Sequence, residues 1–477
     1  LIHLKTLSSD RSLESDSDPP NPERPSRVRR QVTLWLAVAA VLAYLCRNSL
    51  VVAESQLRAD LGLSESQMGF ILGPAFFWTY ALAQIPTAWL GERYGTRRCL
   101  PIFSAAWSLA SAMIALATGF GWVLASRLSS GIAQAGLFPC SVRSIAIWNP
   151  QSERAGASGI LGAAMSVGGA IGAGLTGWML GYLPATIIFA IFAIPGLFWS
   201  IGFWFWFREY PAEHNRVNAA ELHLIERDRP QSTDNSAIDA TTSQSSTGTR
   251  MWLEMLTSPA AWLIFGQQFF RAAGYAFFAS WFATYLMETR GVSTAQSGIL
   301  TAMPLIATVL GSMLGGYTSD AIFQATGSVA WSRKGVAGGS LTLCAMLVFS
   351  AFFVSDPTIA VIVISTGAFL AALAAPCGYT VTMDMGGNHV ASVFSTMNML
   401  GNFGAGLSPW IVPQFKSWVE ASPVMLDFCD GNAWNAVLLL FTAMYVGGAV
   451  CWFLISTQGT VFDQSLLRRK VRNETFR

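Results

Sequence analysis

The residues Thr87-Ala88-Trp89-Leu90-Gly91-Glu92-Arg93-Tyr94-Gly95-Thr96-Arg97-Arg98 form a short charged loop between two apolar runs, 69–90 and 99–118. Each run is long enough to cross a hydrocarbon core roughly 30 Å thick. A carboxylate at the end of one such helix can accept charge-assisted hydrogen bonds from an arginine or from the N-terminus of a neighbouring helix. Bonds of that kind, broken when two bodies separate, would act as a conformational latch. An eroded second copy reads Gly315-Gly316-Tyr317-Thr318-Ser319-Asp320, with Arg333 and Lys334 arriving after an insertion. Glu92 and Asp320 lie 228 residues apart, as do Val32 and Ala260, which open the first and seventh apolar runs. A fixed offset that fits twice implies an internal duplication.

The composition agrees with a membrane chain. Of 477 residues 52% are hydrophobic and only 12% charged, against roughly 25% charged in an average soluble domain. Twelve apolar spans are expected, at 32–53, 69–90, 99–118, 120–147, 158–181 and 184–207, then 259–286, 296–318, 335–354, 358–383, 390–415 and 433–456. The expected organisation is a disordered N-terminal tail (1–31), a six-helix bundle (32–207), a polar linker (208–258) with a short amphipathic helix at Ala219 to Arg229, a second bundle (259–456) and a basic tail (457–477). Basic residues are retained on the cytoplasmic side during insertion. With both termini inside, 23 of the 29 Lys and Arg fall on the inner side, which predicts an integral protein of the plasma (inner) membrane with cytoplasmic termini. The seven cysteines are scattered singly and form no CxxC pair, so neither a disulfide framework nor a metal site is indicated. No basic stripe with interleaved aromatics points to nucleic acid. No cofactor is expected, and a monomer in the lipid bilayer is.

The ordered loop, with Glu92, Arg93, Gly95, Arg97 and Arg98 and its partner Asp320, resembles the signature of the major facilitator superfamily. The resemblance implies an all-α fold of two pseudo-symmetric six-helix bundles enclosing a central cavity, which rock around it in alternating access. Glu92 stands where the signature usually has Asp, and Ala88 where it has Gly. Within the superfamily, Tyr44-Leu45-Cys46-Arg47-Asn48-Ser49-Leu50 and the segment from Ser126-Arg127 to Pro139 resemble the anion:cation symporter branch. That branch includes hexuronate, glucarate and aldonate permeases, sialin and the vesicular glutamate transporters. Tyr80 to Pro86, Trp148-Asn149-Pro150, Asp384, Asn398, Gly401, Asn402 and Ser408-Pro409 extend the resemblance along most of the chain.

The residue chemistry points the same way. A charged arginine inside a span costs roughly 2.5–3.5 kcal/mol on insertion scales, so each needs a partner or a purpose. Arg47 and Arg127 lie in the first and fourth spans, and a guanidinium binds a carboxylate bidentately. The alternative for each is a structural pair between helices. Arg271 either lines the cavity from the seventh span or satisfies a nearby carbonyl. Tyr44, Tyr80 and Tyr275 are candidate hydroxyl donors and sugar-stacking faces, though tyrosines also populate interfacial belts. Asn398 and Asn402, four apart, share one helical face and are candidate hydroxyl readers. Glycines 168, 172 and 174 suggest a small-residue helix contact. No catalytic constellation is present, which leaves a secondary carrier of a small organic anion or a non-transporting sensor of the same fold. Hexuronate, glucarate, an aldonate, an aromatic acid or an amino-acid-like anion would all suit these side chains.

Proton-coupled members of the branch carry an acid beside the first-span arginine and another after the fourth-span arginine. The matching positions here are Cys46 and Gln134, and neither exchanges a proton readily near neutral pH. The departure puts coupling to H+ in question and leaves facilitated diffusion, anion exchange or coupling to Na+. Gln134 is then free to join the binding residues.

Overall fold

The computed structural model describes residues 24–227, 248–291, 294–354 and 356–463. The expected tails up to residue 23 and from residue 464, and the middle of the linker, lie outside the described residues. Among the described residues the chain is helical with no strand, and twelve spans follow one another as expected. The first six are Val28–Val52, Pro74–Tyr94, Thr96–Ala112, a broken fourth (Phe120–Ala135 and Leu137–Trp148), Arg154–Met179 and Ala185–Trp206. The second six are Pro259–Ser280, Thr294–Thr326, Val336–Ser350, Pro357–Met385, Val390–Ala421 and Ala433–Leu454. Eight described spans are long and apolar enough to cross a membrane by length and composition alone. The break in the fourth has a local cause: Pro139 lacks the N–H that would bond the Ala135 carbonyl, and Gly136 makes the junction where a Cβ would strike the Phe103 ring.

The duplication is visible in the packing. The first span packs on the fifth, the second on the fourth and the third on the sixth. The seventh packs on the eleventh, the eighth on the tenth and the ninth on the twelfth. The halves meet reciprocally, fifth span on eighth and second on eleventh. The eighth and eleventh spans have 33 and 32 residues, roughly 50 Å at 1.5 Å per residue. They extend well beyond the sequence-based boundaries, one to Thr326 and the other to Ala421.

One correction concerns the N-terminal tail. Helix begins at Val28 rather than residue 32, and residues 24–31 are anchored instead of disordered. The reason is Glu221, on the linker helix Ala219–Arg227. Its carboxylate accepts from the backbone N–H groups of Val28 (3.0 Å) and Arg29 (3.0 Å) and from the Ser26 hydroxyl, and pairs with the Arg29 guanidinium. A buried carboxylate thus satisfies first-turn N–H groups that have no intrahelical acceptor. Burial pushes this carboxyl up, but the bonds from Ser26, Arg29 and Val28 outweigh it and hold Glu221 below the ordinary glutamate range. Arg29 also pairs with Glu153 at 2.8 Å. The first and last described residues lie on this side, hereafter the terminal face, where Phe462 packs on His389 near Glu92.

Close approach of the first and fifth helices depends on two of the three glycines noted above. A Cβ at Gly172 would lie 2.7 Å from the Leu45 carbonyl oxygen, and one at Gly168 would collide with Val41, whereas Gly174 faces open space. Gly172→Val should therefore destabilise the protein in detergent by about 1–3 kcal/mol through overpacking, and Gly174→Ala should change the melting temperature little. Equal behaviour of the two variants in a thermal-unfolding assay would show that the interface is not set by backbone contact.

Candidate functional site

A cavity of about 270 Å³ lies between the halves. Arg47, Tyr44 and Tyr80 line it from the first and second spans, Arg271 and Tyr275 from the seventh, and Asn398 and Asn402 from the eleventh. The Arg47 guanidinium is held from two sides. Its Nε and Nη2 donate to the Gln134 side-chain oxygen at 3.1 and 3.0 Å, and its Cζ stands 4.3 Å from the Tyr44 ring centre, 4.5 Å from Phe76 and 4.9 Å from Tyr80. Aromatic faces attract a cation without neutralising it. The open question of Arg271 is settled in placement: it lines the cavity, and its Nε and Nη2 donate to Gln268 at 3.3 and 3.0 Å. Among the described residues no carboxylate lines this cavity, so the two guanidiniums carry uncompensated positive charge.

Several expected site residues sit elsewhere. Arg127 does not line the cavity; it is buried behind it, with its Cζ 4.5 Å from the Phe76 ring centre and its Nη1 3.5 Å from the Arg47 carbonyl. Gln134 is likewise outside the lining and acts on Arg47, which makes it a positioning residue. Cys46 turns away and donates to the Phe192 carbonyl at 3.6 Å. Asn402 spends one amide hydrogen on the Asn398 carbonyl at 2.8 Å. The residues that sequence reasoning missed are Gln268, Tyr379, Phe138 and the hydroxyls of Thr308 and Ser312. Gln268 had a legible signal, since it stands one turn before Arg271. Gly401 makes room for it, as a Cβ there would lie 2.7 Å from the Gln268 Cγ. Toward the terminal face Phe138 and Tyr379 approach from opposite halves at 6.4 Å between ring centres.

The terminal face is bolted by reciprocal helix caps. Glu92, in the first half, accepts from the Ser392 N–H at 2.7 Å and its hydroxyl at 2.8 Å, at the start of the eleventh span, with His389 Nδ1 at 3.5 Å. Asp320, in the second half, accepts from the N–H groups of Ala155 (3.2 Å) and Gly156 (2.5 Å), at the start of the fifth. Arg333 pairs with Asp320 at 3.1 Å, and Arg154 crosses the interface to Asp384 at 3.0 Å. Helix N-termini carry partial positive charge and N–H groups without intrahelical acceptors, so each carboxylate is well matched to its site.

The basic residues of the first loop serve differently from the expectation. Arg93 stacks beside Trp89 and Tyr94, and the Arg97 backbone N–H donates to Glu209 at 3.0 Å. Glu209 also pairs with Arg143. Gly95, at φ +83°, leaves the space this carboxylate occupies. Neither Arg97 nor Arg98 pairs its side chain with Glu92 among the described residues, where the Ser392 N–H and hydroxyl of the other half take that carboxylate. Glu92→Gln combined with Asp320→Asn should loosen the contact between the halves on the terminal face, read as faster thiol labelling of cysteines placed at that interface. Unchanged labelling would remove the caps from the latch.

The sequence matches the Major Facilitator Superfamily over residues 36–409. Among similar proteins, a probable sulfoacetate transporter of Cupriavidus necator is 27% identical over 387 residues, 81% of this chain and 86% of that one. The D-galactonate transporter of Escherichia coli is 26% identical over 92% of this chain and 97% of its own, and the hexuronate transporter of Bacillus subtilis 29% identical over 82% and 89%. Among solved structures, the proton:xylose symporter XylE bound to 6-bromo-6-deoxy-D-glucose shares the fold, with a TM-score of 0.67 at 16% identity over 92% of this chain and 98% of that one. On this match and this architecture, the chain belongs to the Major Facilitator Superfamily of membrane transporters.

Proposed function

We propose that the protein is a secondary transporter that moves a small organic anion across the membrane by alternating access, with the substrate's anionic group held by Arg47. The observation that carries this reading is the uncompensated Arg47 guanidinium in an interhalf cavity, oriented by a neutral amide and aromatic faces rather than by an acid. An arginine so placed lacks only an anion to complete its bidentate bonding. Relatives named for sulfoacetate, D-galactonate and hexuronate support that substrate class. Tyr44, Tyr275 and Asn398 offer donors and acceptors for hydroxyls along the substrate.

The basic-residue distribution supports a cytoplasmic terminal face. On that assignment the caps from Glu92 and Asp320 and the Arg154–Asp384 pair close the cytoplasmic side, and the conformation is the one that receives substrate from outside. Breaking these bonds and forming others at the opposite face would present the cavity inward. The latch residues then time the exchange, and Arg47, Arg271 and the lining tyrosines and asparagines bind.

Coupling through positions 46 and 134 is absent from this reading, because Cys46 faces the Phe192 carbonyl and Gln134 is an amide bonded to Arg47. Uptake into proteoliposomes should accordingly respond little to an imposed pH gradient. Several-fold stimulation by inward proton flow would place a coupling site elsewhere in the chain. Arg47→Lys keeps the charge but loses the planar fork and its bonds to Gln134, and should lower uptake by roughly tenfold or more, since hydrogen bonds to charged groups contribute about 1.5–3 kcal/mol. Near-normal uptake by that variant would remove Arg47 from the binding site.

A further inference from the structure

On the reading that the cavity binds an organic anion, we propose that the tenth span decides which anion enters. It admits one whose carbon skeleton turns a hydrocarbon face to that span, and rejects one hydroxylated along its whole length. The span Pro357–Met385 sends Ala368, Ala371, Ala372, Ala375 and Tyr379 to the cavity. Steps of three and four residues put these side chains on one helical face, and four of the five present only a methyl group. The hydrogen-bonding groups of the second half come instead from the seventh and eleventh spans, as Gln268, Tyr275, Asn398 and Asn402. The eighth span, which packs on the tenth, adds little polarity beside the methyl wall. Its Thr308 hydroxyl donates to the Leu305 carbonyl of its own helix at 2.7 Å. Its Ser312 is buried against the fifth helix, where a Cβ at Gly162 would lie 2.8 Å from the hydroxyl oxygen.

The methyl wall is fixed in place. A Cβ at Gly311 would lie 2.3 Å from the Phe369 carbonyl oxygen, and one at Gly315 2.4 Å from that of Leu373. The eighth and tenth helices therefore touch backbone to backbone, and the tenth cannot rotate to offer another face. Toward the terminal face the Tyr379 ring carries the apolar surface on, packed on Phe394 at 5.1 Å and facing Phe138 at 6.4 Å between ring centres. A substrate hydroxyl pressed against this surface loses water and gains no partner. An ordered water cannot mediate there either, since it needs about two to four polar partners. A cavity of about 270 Å³ also leaves little room for a water layer between ligand and wall. An apolar pocket rejects an added hydroxyl by up to roughly a hundredfold, whereas ligand carbon placed on the methyl groups gains by burial. An extended aldonate projects hydroxyls to both sides of its chain and has no bare face to turn to the wall. A carboxylate with an aliphatic or aromatic body, its hydroxyls confined to the edge facing Tyr275 and Asn398, fits both sides of the cavity.

Probes of equal charge isolate the effect. The purified full chain is titrated calorimetrically with D-galactonate, with hexanoate, which has the same chain length without hydroxyls, with para-hydroxyphenylacetate and with sulfoacetate. Hexanoate or para-hydroxyphenylacetate should bind roughly tenfold or more tightly than D-galactonate, a difference of about 1.4 kcal/mol. Ala371→Ser combined with Ala375→Ser places two hydroxyls on the wall and should move that ratio toward D-galactonate by roughly fivefold or more. Ligand-free melting temperatures check folding, and should the double variant not fold, each single serine variant should move the ratio in the same direction. D-Galactonate bound as tightly as the other two, or a ratio that the serines leave unmoved, overturns selection by the tenth span while leaving anion transport standing. Binding of sulfoacetate alone does the same. Binding of none of the four anions overturns the selection and the anion reading together.

Discussion

A guanidinium placed between membrane-spanning helices without a carboxylate partner is the constraint around which this molecule is organised. Desolvating such a group is costly, and the usual remedy is an ion pair. Here the remedy is partial. Gln134 orients Arg47 through two hydrogen bonds and the rings of Tyr44, Phe76 and Tyr80 surround it, yet none of these cancels its charge. The fold supplies rigidity and leaves the charge available. Arg127, packed behind on Phe76 and reaching the Arg47 backbone carbonyl, adds to the positive potential without reaching the cavity.

The same economy of partners governs the interface between halves. Glu92 and Asp320 each cap a helix that belongs to the opposite half, so in the proposed rocking of the halves these are polar contacts that would break. Carboxylates and helix N-termini are both readily hydrated, so the proposed separation would leave neither group without a partner. The packing beneath them is close for a related reason. Gly316 admits the fifth helix backbone at Ala155, where a side chain would hold the halves apart. The linker helix joins this network through Glu221, Arg29 and Glu153, next to Arg154 and its partner Asp384.

Much of this was legible in the sequence, and the remainder was hidden for definite reasons. Span length and the 228-residue offset depend on local composition and on duplication, and the paired packing of the two halves follows them. Tyr44, Arg47, Tyr80, Tyr275, Asn398 and Asn402 were recognisable as cavity residues because polar side chains inside apolar runs are conspicuous. Arg127 was equally conspicuous and lies outside the cavity, since a position along a helix does not give its azimuth when neighbouring helices tilt and break, as the fourth does at Gly136. The partner of Glu92 was illegible because Ser392 lies 300 residues away. The anchoring of residues 24–31 was hidden similarly, as it depends on a single linker carboxylate.

The most direct test of this account is a substrate-bound structure at a resolution that places side chains. An anionic group of the ligand is expected within hydrogen-bonding distance of the Arg47 guanidinium, with Gln134 still bonded to its Nε edge. A ligand seated away from Arg47, or Arg47 turned to an acidic side chain of the protein while substrate is bound, would contradict it.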